Sequence, residues 1–377
     1  MVSLARSSLI HEWQRYLAAV LAVSFSGLLV LAQVALLLGM FGTVSSYIDQ
    51  STADIWMGYR NTESVDMGRN ITDSNKVFLH QHPSVRKVER VLMGFGDWRR
   101  QDGAVLSVYL VGVDPVKDGM MLAKKIPAQL RAVLYQPDAV LVDQADQEKL
   151  GAHLGAVAEI NGRRVRVAGV VNGMRAIGGA NVICSMRTAE KLMEPDGNLA
   201  QWGTYFIASL EPGAKVSQVV QDLEPKGMHK GYSVWDSAGF SLQSQLYWLL
   251  ESGAGAASGF ASLLGILVGV LITSQTLRGA ILSSLKEYAT LRALGVSLGS
   301  LRMVVLEQSF WIGVAGLVIT GLATWLIAWL AAQAFISIAF PIWLLTAVAL
   351  MMLAIAMFSG LLAVRPLFQA EPADLLR

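Results

Sequence analysis

A short charged segment lies between two long apolar runs in the second half of the chain. Ser283–Gly295 reads SSLKEYATLRALG, whereas no Asp, Glu, Lys or Arg occurs from residue 252 to 277 or from 308 to 364. Apolar residues recur in the segment at a spacing that places them near one face of a helix. Gly295 is a plausible helix stop, because glycine can adopt the left-handed turn that ends helices. Such a helix is well placed to be pushed by a soluble partner.

The work that this segment could do is mechanical. Its leucines could pack on another protein while its charged residues form polar contacts, and an ordinary solvated loop helix is the alternative. The residues that we expect to couple the segment to a partner are Lys286, Glu287, Tyr288, Leu291, Arg292, Leu294 and Gly295.

Residue types that serve catalysis or metal binding are sparse and scattered. His80 and His82 could share a face of a strand, but no third ligand is evident and a structural zinc site needs four. The single cysteine, Cys184, excludes an intramolecular disulfide, and its apolar surroundings favour burial. No Ser–His–Asp order stands out, and no G-x-x-x-x-G-K-S/T phosphate-binding sequence occurs. We therefore predict no catalytic site, no metal site and no bound cofactor.

The composition indicates an integral membrane protein with a soluble part. Of 377 residues, 54% are hydrophobic and 15% are charged, with a mean hydropathy of +0.48, whereas soluble domains carry about 25% charge. The deficit is confined to a few segments, each long enough for the roughly 20 apolar residues of a span. A net charge of +2 gives no reason to expect nucleic-acid binding.

The fold class that we predict is a membrane protein with four transmembrane helices and a large α+β extracytoplasmic domain between helices 1 and 2. The uncharged run that begins at Tyr16 is too long for a signal peptide, so we interpret it as an uncleaved first span at about 17–40. The predicted segments are a cytoplasmic amphipathic leader helix at 1–15, the first span with its external extension at 16–48, the extracytoplasmic domain at 49–250, the second span at 251–279, a cytoplasmic coupling segment at 280–303, spans three and four at 304–364 and a cytoplasmic tail at 365–377. A solvated helix remains the alternative for the leader.

Short apolar runs in residues 49–250 are typical of strands. Asn161-Gly162 between two of them is the strongest short hairpin signal. The predicted strands are 87–94, 105–113, 139–143, 156–160, 163–171, 182–186 and 204–210. The predicted helices are 72–82, 144–150, 216–223 and a helix at 237–251 that leads into the second span.

Small and amide side chains within the spans suggest helix packing. Gly255 and Gly259 are four residues apart, as are Gly265 and Gly269, and this spacing allows close helix contact. Lipid-facing glycines are the alternative. Gln33, Gln275 and Gln308 could line a path, but hydrogen bonding between helices is their common role.

Basic residues in the short loops predict the orientation. Arginines or lysines precede the first span, lie between spans two and three, and follow span four. Positive loops favour the cytoplasm, so both termini and the coupling segment are expected there. The large domain would then be extracytoplasmic, and the protein is expected in the inner membrane.

At this point the chain resembles the MacB/FtsX-type permeases, also called type VII ABC transporters. Lys286–Gly295, KEYATLRALG, is similar to that family's cytoplasmic segment after span two, and Arg365-Pro366 with Glu371–Arg377 resembles its usual ending. The amphipathic leader and Ser51–Trp56, STADIW, most resemble the DevC branch.

The resemblance implies partners and a mechanism. Two copies of the permease would pair with two copies of an ABC ATPase that uses ATP and Mg, so this chain itself would not be an enzyme. The DevC branch implies a periplasmic adaptor (a membrane fusion protein) and an outer-membrane duct, hence MacB-like tripartite efflux. FtsX-like signalling to a cell-wall hydrolase and lipoprotein extraction of the LolC/LolE kind share this architecture, and the substrate does not follow from the family.

Overall fold

The structure, a computed structural model, describes residues 13–174, 179–194, 198–251, 253–283, 296–333 and 338–363. Most of the predicted leader and the whole predicted tail, 365–377, lie outside these residues. The chain divides into two units, which we call the helical unit (Met1–Gly39 with Gly255–Arg377) and the sheet unit (Met40–Ala254).

The α-helices of the described ranges include the four long ones that the apolar runs predict. In chain order they are α1 (Trp13–Val44), α2 (Ser46–Asp49), α3 (Lys76–His80), α4 (Ala128–Val133), α5 (Gln147–Leu150), α6 (Met186–Met193), α7 (Val216–Lys230), α8 (Ser237–Leu250), α9 (Ala254–Ser283), α10 (Leu298–Gln333) and α11 (Ile342–Ala363). Helices α1, α9, α10 and α11 are long and apolar enough to cross a membrane. The predicted fold class, with four such helices and a large domain between the first two, is confirmed.

Several helix boundaries differ from the predictions, because capping contacts override the apolar pattern. Ser185 accepts a hydrogen bond from the Thr188 amide at 3.3 Å and begins α6. Met186, predicted as the end of a strand, is therefore the first residue of a helix. The predicted helices at 72–82 and 144–150 each begin with a 3-10 turn, and α-helix starts only at Lys76 and Gln147.

The strands of the sheet unit pair in an order far from their order in the chain. They are β1 (Ile55–Tyr59), β2 (Ile71–Thr72), β3 (Val85–Arg99), β4 (Val105–Val113), β5 (Ala139–Asp143), β6 (Val157–Ile160), β7 (Arg163–Val171), β8 (Ala180–Ser185), β9 (Trp202–Gly203), β10 (Tyr205–Leu210) and β11 (Tyr232–Asp236). The large sheet has the order β11-β1-β10-β3-β4-β8-β5-β7-β6, and β2 pairs with β9 separately. Pairs β4–β8 and β5–β7 are parallel.

The large sheet closes on itself through its longest strand. Trp98 and Arg99 at the end of β3 pair with Ile160 and Glu159 of β6. Strands β3, β4, β8, β5, β7 and β6 therefore form a closed ring, and β10, β1 and β11 extend the sheet from the first half of β3.

The Asn161-Gly162 turn forms the predicted hairpin between β6 and β7. Both residues have positive φ, 47° and 78°, as a two-residue type I′ turn requires. The Asn161 side chain also accepts a hydrogen bond from the Asp97 amide at 2.8 Å and donates one to Leu192 O at 2.8 Å. The turn therefore ties the hairpin to β3 and to α6.

Apolar side chains fill both faces of the ring. One buried cluster takes residues from all six ring strands, among them Trp98, whose Nε1 donates to Leu150 O at 3.0 Å. A second cluster covers the other face and includes Tyr47 of α2 and Phe240 of α8. A third packs α7 against β1, β10 and β11. Burial of these apolar side chains is the main force that holds the ring and its extension together.

A buried pair of charged residues holds the loop between β4 and α4. The Glu89 carboxylate accepts hydrogen bonds from the amides of Met120 and Met121, and Arg131 donates to Asp114 O at 2.8 Å and to Met121 O. Burial raises the pKa of Glu89, while the two amides and the positive charge of Arg131 oppose the rise. The loop therefore depends on both side chains for its polar contacts.

We expect Arg131→Met to lower the free energy of unfolding of the sheet unit by about 3 kcal/mol, because it leaves a buried carboxylate without its positive neighbour. The measurement is urea unfolding followed by tryptophan fluorescence. Arg99→Met is the matched control, since Arg99 pairs with Glu159 at 3.6 Å on the surface and exposed pairs contribute less than about 1 kcal/mol. An equal decrease in the free energy of unfolding for the two variants would show that Arg131 does not stabilise the buried carboxylate of Glu89.

Candidate functional site

The residues predicted to couple to a partner, Lys286–Gly295, lie outside the described residues. Their role stays a prediction. The candidate site that the structure does describe has two parts: the packing around α1 in the helical unit, and the place in the sheet unit where the chain enters and leaves it.

Gly265 and Gly269 on α9 lie against α1. A Cβ atom added to Gly265 would lie 2.6 Å from Leu29 Cδ2, and one added to Gly269 would overlap the Ser26 side chain. The two helices therefore approach closely at both positions, and a side chain at Gly269 would displace Ser26.

The other predicted glycine pair, Gly255 and Gly259, has different surroundings. A Cβ atom on Gly259 would meet no described residue within 4 Å, and Gly255 is half-buried. The two glycine pairs therefore do not share one environment within the chain.

Helix α1 also packs against α10, through residues that the sequence analysis did not single out. Ser24 Oγ donates to Gly316 O at 3.0 Å, and Thr320 Oγ1 donates to Ser24 O at 3.2 Å. A Cβ atom on Gly316 would lie 2.7 Å from Val23 Cγ1. Gly316 and Thr320 are four residues apart, so the same small-residue spacing could have revealed them.

Met352 of α11 lies near α1 as well, 3.3 Å from a Cβ atom built on Gly27. Apolar residues of α1 and α11 share one buried cluster. Helix α1 therefore contacts α9, α10 and α11, and a displacement of any of them acts on it.

The entering and leaving segments of the sheet unit lie side by side and run in opposite directions. Hydrogen bonds join residues 45–53 to residues 237–245 at intervals of four residues on both segments, about one helical turn. The bonds of this polar ladder are Gln245 Nε2 to Ser45 Oγ at 2.9 Å, Ser241 Oγ to Asp49 Oδ1 at 2.8 Å, and Ser237 Oγ to Ala53 O at 2.5 Å.

Asp49 is the charged member of the polar ladder. Its carboxylate accepts from Ser45 Oγ at 2.7 Å in addition to Ser241 Oγ, and bonds to an ionised acceptor are stronger than neutral ones. Its carbonyl oxygen accepts from Lys124 Nζ at 2.8 Å. Asp49 therefore joins α2, α8 and the loop after β4.

Ser51–Trp56, the segment that resembles the DevC branch, leads from α2 into β1. Ser51 Oγ accepts from the Ala53 amide at 3.0 Å and forms a local turn. Asp54 Oδ2 accepts from the Leu210 amide at 2.8 Å at the end of β10. The segment thus fixes the entering chain to the edge of the sheet, next to the polar ladder.

An aromatic cluster fixes α8 to the sheet. Phe240 stacks on Trp235 with ring centroids 4.4 Å apart and an interplanar angle of 12°, and it also lies against Trp56 and Tyr205. Trp56, Tyr205 and Phe240 are fully buried. Aromatic pairs of this kind contribute roughly 0.5–1.5 kcal/mol beyond their buried area, so α8 is held more firmly than its polar contacts alone would hold it.

Tyr47 connects α2 to the ring of strands. Its hydroxyl donates to Asn181 Oδ1 on β8 at 2.6 Å, and its ring lies 5.8 Å from that of Tyr109 on β4. Burial raises the pKa of Tyr47 well above its usual value, so the phenol stays protonated and remains a donor. A displacement of α2 therefore acts directly on the closed ring of strands.

The residues considered for catalysis or metal binding are not brought together. Within the described ranges no group of three or more metal-binding side chains occurs. His82 faces Asp222 at 3.4 Å. Cys184 is fully buried on β8, where burial raises the pKa of its thiol to about 12, so it is not a nucleophile at neutral pH.

Comparison with known proteins gives two family matches. Residues 16–226, more than half of the chain, match the MacB-like periplasmic core domain, and residues 259–372 match the FtsX-like permease C-terminal domain. The chain belongs to the MacB/FtsX family of permeases. This family supplies membrane components of ABC transporters and normally works with an ABC ATPase. With its four apolar helices, a MacB/FtsX-type permease is an inner membrane protein.

Two of the solved structures that are similar to the chain are extracytoplasmic regions of transporters. The periplasmic region of MacB from Actinobacillus actinomycetemcomitans is 16% identical with a TM-score of 0.35, covering 51% of this chain and 92% of that one. The extracellular domain of the transporter YknZ from Gram-positive bacteria is 14% identical with a TM-score of 0.33, covering 49% and 100%. No curated protein matches the chain.

We expect Gly269→Val to destabilise the helical unit by about 1–3 kcal/mol, because the added side chain must displace Ser26. Gly259→Val is the matched control on the same helix, where a side chain meets open space. The measurement is the thermal midpoint of the detergent-solubilised chain, read from its monodisperse fraction in size-exclusion chromatography. If the thermal midpoint of Gly259→Val falls as far as that of Gly269→Val, the contact with α1 is not the cause of the destabilisation.

Proposed function

We propose that the chain is the permease subunit of a MacB-like tripartite exporter, in which ATPase movements reach the sheet unit through the membrane helices and drive efflux with an adaptor. In this proposal two copies pair with two ATPase subunits, which use ATP and Mg. An adaptor and an outer-membrane duct complete the assembly. The chain itself performs no catalysis, and its substrate is not specified by the family.

The polar ladder is the observation that carries the proposal. Two segments that are joined at three points, four residues apart, move together, and they continue covalently into α1 and α9. The aromatic cluster and Tyr47 then connect these segments to the outer strands and to the ring. A displacement of the membrane helices would therefore reach the sheet unit as the movement of one body.

The coupling segment supplies the other end of this path. By resemblance, Leu291 and Leu294 pack on the ATPase while Glu287 and Arg292 make polar contacts with it. The positive loops support a cytoplasmic location for this segment and for both termini. The DevC branch is supported by Ser51–Trp56, which lies beside the polar ladder.

The identity of the protein that binds the sheet unit distinguishes export from the other functions known for this architecture. An adaptor that co-purifies with the chain supports efflux, and a peptidoglycan hydrolase in its place supports signalling. Accumulation of lipoproteins at the inner membrane on depletion supports lipoprotein extraction. The large strand-rich domain resembles the exporters of the family, and for this reason we propose export.

We expect Leu291→Asp to uncouple the transporter, because a carboxylate at an apolar contact is costly to bury. Export should fall at least about tenfold, which corresponds to about 1.4 kcal/mol, and substrate- or adaptor-stimulated ATP hydrolysis should fall with it. The measurement is ATPase activity and export of the reconstituted complex. If both survive the change intact, the mechanical role of the segment is wrong.

The double variant Asp49→Ala/Gln245→Ala should separate hydrolysis from export. It removes two steps of the polar ladder, each worth about 1 kcal/mol, so ATP hydrolysis continues while export falls. The matched control is Gln218→Ala/Asp222→Ala, which changes the same residue types at exposed positions of α7. Unchanged export in the ladder variant, with the fold intact by circular dichroism, would contradict transmission through the ladder.

A further inference from the structure

The outer face of α8 carries a stripe of exposed leucines. Leu242, Leu246 and Leu250 are 56%, 41% and 69% exposed, and their spacing of four places them on one side of the helix. The opposite side, with Phe240 and Ser244, is buried against the sheet. The leucine stripe is thus an apolar side of α8 that stays uncovered within the part of the chain that the structure describes.

A groove of about 370 Å³ runs along the leucine stripe. Gly239, Gln243 and Tyr247 complete its floor, and Glu63 borders it from the loop after β1. Gln243 Nε2 donates to Thr62 O at 2.9 Å and so holds that loop against the helix. The groove is therefore built from two segments and has a fixed shape.

Two carboxylates, Glu63 and Glu251, flank the apolar floor of the groove. Neither forms an ion pair within the described ranges. Glu63 also borders a second cavity, which Arg60 and Arg69 line; there Arg60 donates to Met228 O at 3.0 Å, and Arg69 lies over the ring of Tyr59 at 5.5 Å. The groove thus presents leucines with a carboxylate from each of two segments at its borders.

We propose that this groove binds an apolar helix flanked by basic residues, contributed by a partner protein. Helix-in-groove recognition uses apolar anchors three and four residues apart, which match the spacing of Leu242, Leu246 and Leu250. Lysine or arginine beside the anchors would pair with Glu63 and Glu251, and complementary charge of this kind sets orientation and specificity.

The shape and charge of the groove favour this occupant over two others. Small ligands are buried by 70–90% in their sites, whereas this groove is open along one side and covers only one face of its occupant. A second copy of the leucine stripe would place Glu63 and Glu251 opposite further carboxylates. This inference rests on the proposed function in one respect: both assign a protein partner to the sheet unit.

Cysteine labelling of the full chain tests the proposal without any export or ATPase reading. Cys184 is buried with a raised thiol pKa, so a cysteine introduced by Leu246→Cys is the reactive one. Its rate of reaction with a maleimide is compared between the purified chain and native membranes that contain the assembly. Phe95→Cys, at an exposed position of β3, is the matched control.

We expect the Leu246→Cys thiol to react about tenfold more slowly in native membranes, as for a site that is mostly occupied, and Phe95→Cys to react at the same rate in both. Glu63→Lys with Glu251→Lys should restore the fast rate, whereas Asp102→Lys should not. A photoreactive residue at position 246 should cross-link to an apolar segment bordered by lysine or arginine, identified by mass spectrometry.

Other outcomes overturn the proposal. Equal rates in the two preparations would show that nothing covers the groove. Protection that survives the charge reversal, or protection without a protein cross-link, would assign the groove to lipid or to a small amphiphile. A cross-link to this chain itself would assign it to a second copy. Because none of these readings uses ATP, each leaves the proposed function untouched.

Discussion

The polar ladder between residues 45–53 and 237–245 is the contact through which the sheet unit keeps its entering and leaving segments together. Its geometry is simple: a serine, a carboxylate and a backbone carbonyl on one segment meet an amide and two hydroxyls on the other, at intervals of four residues. Each bond alone is modest, because folding exchanges it for a bond to water. Because the three bonds have the same spacing on both segments, the two segments act as a single element. The aromatic cluster between α8 and the sheet supplies the buried apolar area that the polar ladder lacks.

Much of the architecture could be predicted because its signals are local. The uncharged runs predict α1, α9, α10 and α11, since a bilayer leaves a spanning chain no polar partner except itself. Asn161-Gly162 predicts the turn between β6 and β7 from two residues, because few other pairs adopt positive φ twice. Strands β4, β5 and β7 have the predicted bounds for a similar reason: each is a continuous apolar or alternating run.

The rest depends on pairings that no local pattern contains. Strands β1 and β11 were not predicted, although they lie next to each other in the sheet, because each is short and finds its partner about 180 residues away. The polar ladder joins residues 184 to 200 positions apart and consists of serine, glutamine and aspartate, which are ordinary surface residues in a sequence. The contact of Gly316 and Thr320 with α1 follows the spacing that drew attention to Gly265 and Gly269, but only the structure tells which small residues have a neighbour. Gly259 has the spacing and no neighbour among the described residues.

The outer strands pair with partners far away in the sequence, and this separation affects how the chain folds while it is being synthesised. A chain is made from its amino end, so α1 and β1 exist long before β10 and β11, the strands on either side of β1. Until residue 240 has been synthesised, the faces of Trp56 that later meet Tyr205 and Phe240 are not both covered. Incomplete sheets with exposed apolar surface are prone to aggregate. The growing polypeptide must therefore be shielded, by a chaperone or by the translocation machinery, until its last strand arrives.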